Sequence, residues 1–166
     1  MPISDLLMLE FNEEAKKTRA TLERVPMDKP EFVPHPKSMP MGKLAAHVVG
    51  LARFGVTVLT TPQFDFSGGQ PQPSYETNAQ LLKAFDENAG KMREALKTAN
   101  ENSWTEDWKL SFKGAPIFTG KRFLAYRQMF LNHLVHHRAQ LGVYLRLNEQ
   151  PLPATYGPSA DDKMGF

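Results

Sequence analysis

The sequence predicts an all-α fold, a four-helix bundle. Four segments of about 20 to 27 residues carry apolar side chains at helical steps of three and four. No segment shows the sustained alternation of a strand, and no internal repeat is present. A chain of 166 residues can bury a full core without disulfides or a structural metal. We therefore expect a single domain over residues 1–166.

The first two helices are predicted on either side of a proline-rich connection. Residues 3–25 place apolar side chains at helical spacing with charged residues between them. Five of the thirteen prolines follow between positions 26 and 40, a density that forbids a helix or a central strand. Ser38 is placed to cap the second helix, whose apolar stripe runs from Leu44 to Val58.

The third and fourth helices follow a second connection. Residues 63–74 are rich in glycine, proline and glutamine and are predicted to form an exposed loop. Ser74 is placed to cap the third helix, whose apolar repeat continues to Ala99. The fourth helix is predicted from position 119 or 121 to about position 147.

The segment between these two helices departs from helical periodicity. Trp108, Leu110 and Phe112 alternate with polar residues, and Gly114 and Pro116 mark a turn. The predicted fold therefore allows a short hairpin between the third and fourth helices.

Charge and composition argue against several classes of protein. The net charge of +2 and the scattered charges do not indicate a nucleic-acid surface. The amino end has no basic stretch before its apolar residues, and the apolar stretch 44–59 is shorter than the ~20 residues of a membrane span. We expect a cytoplasmic protein with no nucleic-acid or membrane partner. The sequence has no cysteine, so any thiol chemistry needs a thiol from outside the chain.

The histidines are the candidate functional residues. His133 and His137 are four residues apart on the fourth helix, so both imidazoles project from one face. His47 lies on the apolar stripe of the second helix, which in a bundle can face the fourth. Three imidazoles with an open position for water suit zinc or nickel.

Each histidine also has an ordinary structural interpretation. A single His47 on an apolar stripe is more often a core residue, and a histidine pair four apart also occurs on solvated faces. His136 could pair with His133 at a spacing of three. Because His133 and His137 share the register of the apolar residues, we assign His136 to the surface or to the surroundings of the ligands. His35, in the proline-rich connection, is left out of the metal set.

Several enzyme motifs are absent from the sequence. In the zinc-protease motif a glutamate follows the first histidine, whereas Leu134 follows His133 here. The sequence also has no Gly-x-Ser-x-Gly elbow and no phosphate-binding loop.

The residues around the histidines resemble the DinB family of metal-binding four-helix bundles. Three stretches carry the resemblance: LAAHVVGLARF, NHLVHHRAQLGVYLRLNEQPLP and TYGPSADD. In that family one histidine of the second helix and two of the last helix hold a divalent metal, and the matching positions are His47, His133 and His137. The resemblance implies an up-down-down-up bundle of the DinB/YfiT-like type with nickel or zinc in an open cleft, frequently a homodimer. Some relatives are thiol-dependent transferases or maleylpyruvate isomerase-like proteins.

Two functions follow as hypotheses. The first is a metal-dependent enzyme in which the cation stabilises the thiolate of a small-molecule thiol, which attacks an electrophilic carbon of a small-molecule substrate. The second is a non-catalytic stress-response or dimerisation module in which the metal is structural. A third, metal-free interpretation makes the histidines ordinary core and surface residues.

Three charged or polar features near the carboxy terminus are interpreted as structural. Arg138 and Arg146 are predicted to be solvated charges or members of structural ion pairs. The segment 156–162, which contains Tyr156, Asp161 and Asp162, is predicted to be a surface tail.

Overall fold

Four long helices form the body of the protein in the computed structural model, which describes residues 1–68 and 73–163. They are α1 (Ile3–Leu22), α2 (Met41–Thr60), α3 (Asn78–Lys97) and a last helix over residues 122–147. The last helix comprises α4 (Arg122–Ala125), a π-helical segment (Tyr126–Leu131) and α5 (Asn132–Leu147). Both α1 and α2 pack against α3 and α5, so α1 and α2 occupy opposite corners of the bundle.

The prediction of an all-α fold is wrong, because a three-stranded mixed sheet accompanies the helices. The strands are β1 (Gln63–Asp65), β2 (Asp107–Phe112) and β3 (Ala115–Lys121), in the order β1-β2-β3. A short 3₁₀-helix, Glu101–Thr105, precedes β2. The hairpin that the sequence allowed is present as the antiparallel pair β2 and β3. The predicted loop 63–74 instead contains β1, which pairs parallel to β2; its positions 69–72 lie outside the described residues.

Burial of two side chains of β2 explains why the sheet forms. Trp108 and Leu110 are buried while their neighbours along the strand are exposed or half-buried. The indole Nε1 of Trp108 donates a hydrogen bond of 3.0 Å to the carbonyl of Thr61, just after α2. The sheet thus covers an end of the bundle that the four helices leave open.

A two-residue turn joins β2 to β3. Lys113 and Gly114 both have positive φ angles, 50° and 77°, as a type I′ turn requires. The Asp65 carboxylate accepts a hydrogen bond of 2.8 Å from the backbone N–H of Gly114. This bond ties the end of β1 to the tip of the hairpin.

Neither predicted serine cap is used. At α2 the N-cap is Pro40, and the backbone N–H groups of Met41 and Gly42 donate instead to carbonyls of the proline-rich connection, at 2.9 and 2.8 Å. At α3 the cap is Thr77, which forms a reciprocal capping box with Gln80. The proline-rich connection therefore folds back onto the start of α2.

The helix that carries His47 is about half-buried in the bundle. By length and composition α2 could cross a membrane, but half of its most apolar window is buried within the protein. Core helices of soluble proteins have the same character. Gly55 of α2 lies so close to the last helix that an added Cβ would meet the Phe130 ring at 2.7 Å. This close approach brings α2 and the last helix together about two turns along α2 from His47.

Candidate metal centre

Three imidazoles from two helices converge at one place in the bundle. His47 extends from α2, and His133 and His137 extend from α5. The Nε2 atom of His133 lies 3.4 Å from the Nε2 atom of His47 and 2.8 Å from the Nε2 atom of His137. One ligand nitrogen from each of the three rings lies within 4.8 Å of the other two. The sequence predicted this juxtaposition.

The outer nitrogens of two rings are held by hydrogen-bond acceptors. The Nδ1 atom of His133 lies 3.3 Å from the carbonyl oxygen of Met129. The Nδ1 atom of His137 lies 2.7 Å from the side-chain oxygen of Gln140. Because a carbonyl or amide oxygen only accepts, each Nδ1 carries a proton and each Nε2 presents a lone pair to the centre. The same arrangement orients histidine ligands in metalloproteins.

The donor set fits a divalent transition ion. Two neutral imidazoles that direct lone pairs at each other across 2.8 Å repel unless a cation or a proton lies between them. Bonds of about 2.0–2.1 Å to zinc place tetrahedral ligands about 3.4 Å apart and right-angled ligands about 2.9 Å apart. The observed distances between the Nε2 atoms, 3.4 Å for His47 and His133 and 2.8 Å for His133 and His137, are close to these two values. Three nitrogen ligands leave further coordination positions for water or substrate.

Burial keeps these imidazoles neutral. Burial, together with the nearby His137 and His133, lowers the pKa of His47 from 6.5 to about 4. Burial also lowers the pKa of His133 and of His137, partly offset by the hydrogen bonds of their Nδ1 atoms. At neutral pH all three rings are therefore in the form that binds a metal.

A cavity of about 610 Å³ opens beside His47 and His133. Its described lining comes from α2, from the region of β1 and β2, and from the last helix. The lining residues are Ala46, His47, Gly50, Leu51, Arg53, Phe54, Thr57, Phe64, Phe66, Pro73, Leu110, Met129 and His133. Two of the three candidate ligands therefore face a space of the size that small-molecule sites have.

The other histidines lie elsewhere. His136 is exposed, and its ring contacts the edge of the His137 ring at a centroid distance of 4.8 Å. His35 is exposed in the proline-rich connection, where its Nδ1 accepts a hydrogen bond from the Lys37 backbone. Both positions agree with the assignments from sequence.

Arg138 faces the opposite side of the last helix. It is only 3% exposed, and its guanidinium lies 2.7 Å from the carboxylate of Glu14 on α1. The Tyr156 hydroxyl accepts a hydrogen bond from Arg138 and donates one to Glu14, at 2.9 and 2.7 Å. Arg146 pairs with Asp161 at 2.5 Å. The segment 156–162 therefore lies on the surface, as predicted, but is tied to α1 and α5.

Sequence reasoning missed the groups that surround the ligands. The contact of Gln140 with His137 could have been predicted, because a spacing of three residues places the two side chains on one helix face. The carbonyl of Met129 carries no sequence signal. The walls of the cavity depend on β1, which was not predicted.

Comparison with known proteins agrees with the fold. The chain resembles a DinB-like protein from Bacillus cereus with a TM-score of 0.70 and 19% identity, covering 93% of this chain and 98% of that one. A DinB-like protein from Bacillus subtilis aligns with a TM-score of 0.68 and 17% identity, covering 87% and 92%. No curated protein matches the sequence. The family model of the DinB superfamily matches residues 10–141, and the chain belongs to that superfamily.

Proposed function

We propose that this protein is a metal-dependent enzyme that joins an external small-molecule thiol to a small electrophile, with a divalent nickel or zinc ion held by His47, His133 and His137. The observation that carries the proposal is the cavity, because His47 and His133 lie in its wall. A purely structural site has no need of an adjoining space of this size. Membership of the DinB superfamily supports the proposal.

The roles of the chain's own residues follow from their positions. The neutral imidazoles hold the ion, and the hydrogen bonds from His133 and His137 to Met129 and Gln140 keep the rings in place. When bound, the ion supplies Lewis acidity that favours the thiolate form of a thiol. Phe54 and Leu110 line the cavity and limit water around the reacting carbon. The sulfur comes from outside, since the sequence has no cysteine.

The reaction class is nucleophilic substitution or addition. In substitution on an activated aryl chloride, the thiolate sulfur forms a bond to the ring carbon and chloride leaves with the bonding electron pair. The thiol proton passes to solvent. No residue of the protein forms a covalent bond to the substrate.

Metal content is the first test. Purified wild-type protein should contain about one nickel or zinc ion per chain by elemental analysis. Replacing His47, His133 or His137 by alanine should remove most of it, because two imidazoles chelate far more weakly than three. His136→Ala is the matched control and should keep the wild-type stoichiometry. Equal metal content in all four variants would refute the ligand assignment.

Turnover separates the enzyme from a structural alternative. The ligands come from two helices that pack together, α2 and α5, so a bound ion would also cross-link the bundle. Metal-loaded protein is incubated with glutathione, cysteine or other small thiols and 1-chloro-2,4-dinitrobenzene. We expect turnover that chelation abolishes while the helical circular dichroism persists. Absence of turnover with every thiol, together with unfolding on chelation, would favour the non-catalytic module.

A further inference from the structure

One face of α2 forms a continuous wall of the cavity. Gly50, Arg53, Phe54 and Thr57 follow one another at steps of three, one and three, and all four line the cavity. This spacing places them on one side of a helix. His47 begins the same wall, one turn before Gly50.

The wall is shaped for a flat apolar group. The rings of Phe54 and Phe64 lie edge to face with centroids 5.9 Å apart, and Leu110 and Met129 complete the apolar lining. A Cβ built on Gly50 meets nothing within 4 Å. The absent side chain at this position therefore leaves room in the middle of the cavity.

The charge of the cavity is unbalanced. Arg53 is exposed at the cavity. It does not form an ion pair with any carboxylate of residues 1–68 and 73–163. No aspartate or glutamate is among the described residues of the lining. A positive charge in an apolar cleft attracts an anion, and guanidinium groups bind carboxylates and similar oxyanions through paired hydrogen bonds.

We infer that the cavity binds an aromatic or similarly apolar molecule with one negatively charged group, which Arg53 binds while the apolar part lies over Gly50 towards the histidines. The inference rests on the proposed function, because it names the substrate class of the same site. His47 and Arg53 are six residues apart, about 9 Å along the helix. An aromatic acid spans that distance and fits the cavity.

Two fluorescent probes that differ in charge test the inference directly. One is 1-anilinonaphthalene-8-sulfonate, an apolar anion, and the other is N-phenyl-1-naphthylamine, its uncharged counterpart. Binding is measured by fluorescence titration of the full chain in the presence of a chelator, so that the result does not depend on metal or turnover. We expect the anion to bind wild-type protein at least several times more tightly than the neutral probe.

Two substitutions assign the binding to this cavity. Arg53→Gln should weaken binding of the anion roughly fivefold to tenfold and leave the neutral probe unchanged, as expected for loss of one charge-assisted contact. Gly50→Leu should weaken both probes at least tenfold, because the new side chain fills the space. The controls are Lys83→Gln, at an exposed cation of α3, and Gly90→Leu, at a helical glycine with nothing within 4 Å of its Cβ position.

The outcomes separate this inference from the proposed function. Equal binding of the two probes to wild-type protein, or an unchanged preference in Arg53→Gln, would overturn the assignment of an anionic substrate. Because Arg53 is exposed, that variant tests the inference even if Gly50→Leu does not fold. If the protein binds the anion selectively but contains no metal and shows no turnover in the tests above, the assignment of the cavity stands and the proposed enzymatic function is wrong.

Discussion

The Nε2 atoms of His47 and His133 lie 3.4 Å apart although 86 residues separate them along the chain. This distance is set by the packing of α2 against α5, and His137 adds a third nitrogen from the next turn of α5. Five predictions follow from the surroundings of this centre and from the packing of the helices around it.

Gln140→Leu should weaken metal binding about tenfold. The substitution removes the acceptor that holds the Nδ1 atom of His137, and loss of such partners costs about 10- to 100-fold in affinity. The lower end is expected because Gln140 is exposed and water can replace its oxygen. Competition titration with a chromogenic chelator measures the change. Gln128→Leu, the same change at another exposed glutamine of the last helix, should bind metal like wild type.

Acidification should release the metal only well below pH 6.5. Protons compete with the ion for the imidazoles, but the pKa of all three histidines is lowered, mainly by burial, and that of His47 lies at about 4. Metal retained after dialysis should therefore remain near its neutral-pH value at pH 6.5 and fall as the pH approaches 4. Half-release above pH 6.5 would contradict the lowered pKa values.

The stability of the metal-free protein should fall over the same interval. When the pKa of a histidine is lower in the folded than in the unfolded protein, protonation favours the unfolded protein. The stability is therefore highest above pH 6.5 and decreases as the pH falls towards 4. Thermal unfolding between pH 7 and pH 5 should show a smaller decrease in Tm for His47→Gln than for wild type. Parallel curves for the two proteins would count against a buried neutral His47.

Gly55→Ala should destabilise the protein by about 1–3 kcal/mol. The added methyl group would lie 2.7 Å from the Phe130 ring and 2.8 Å from the sulfur of Met92, so either α2 or these two side chains must shift. Gly50→Ala on the same helix is the control, because its Cβ meets nothing within 4 Å and alanine favours a helix by up to about 1 kcal/mol over glycine. Urea unfolding measures both. A stability gain at both positions would show that the helices are not in close contact.

Tyr156→Phe should cost about 1 kcal/mol of stability and leave the metal content unchanged. The hydroxyl bonds both Glu14 and Arg138, but those two side chains remain paired without it. Tyr75→Phe, at a hydroxyl with no hydrogen bond in the described part of the chain, is the control. Loss of metal in Tyr156→Phe would show that the network also positions His137.

The candidate site was predictable because its signals are local. A spacing of four places His133 and His137 on one face of any helix, and the apolar stripe around His47 places that residue towards the bundle interior. Helix bounds followed from the same periodicity, although a different residue caps α3. Thr77 is preferred over Ser74 because Gln80, three residues later, completes the reciprocal hydrogen bonds.

The sheet was not fully predictable because β1 is short and its partner is distant. Three residues, Gln63–Asp65, show too little alternation to indicate a strand, and they pair with Lys109, Leu110 and Ser111. The sequence indicated only the hairpin between β2 and β3, because a local turn joins these two strands. Phe64 of β1 lines the cavity, so the walls of the cavity could not be predicted without that strand.

The two α5 ligands are oriented by different kinds of acceptor. His133 is held by a main-chain carbonyl and His137 by a side-chain amide. Any sequence that preserves the helical backbone here retains the first support, whereas a single codon change removes the second. Position 140 is thus where substitution could tune which ion is preferred without altering the ligands themselves, and it offers the simplest starting point for redesigning metal selectivity.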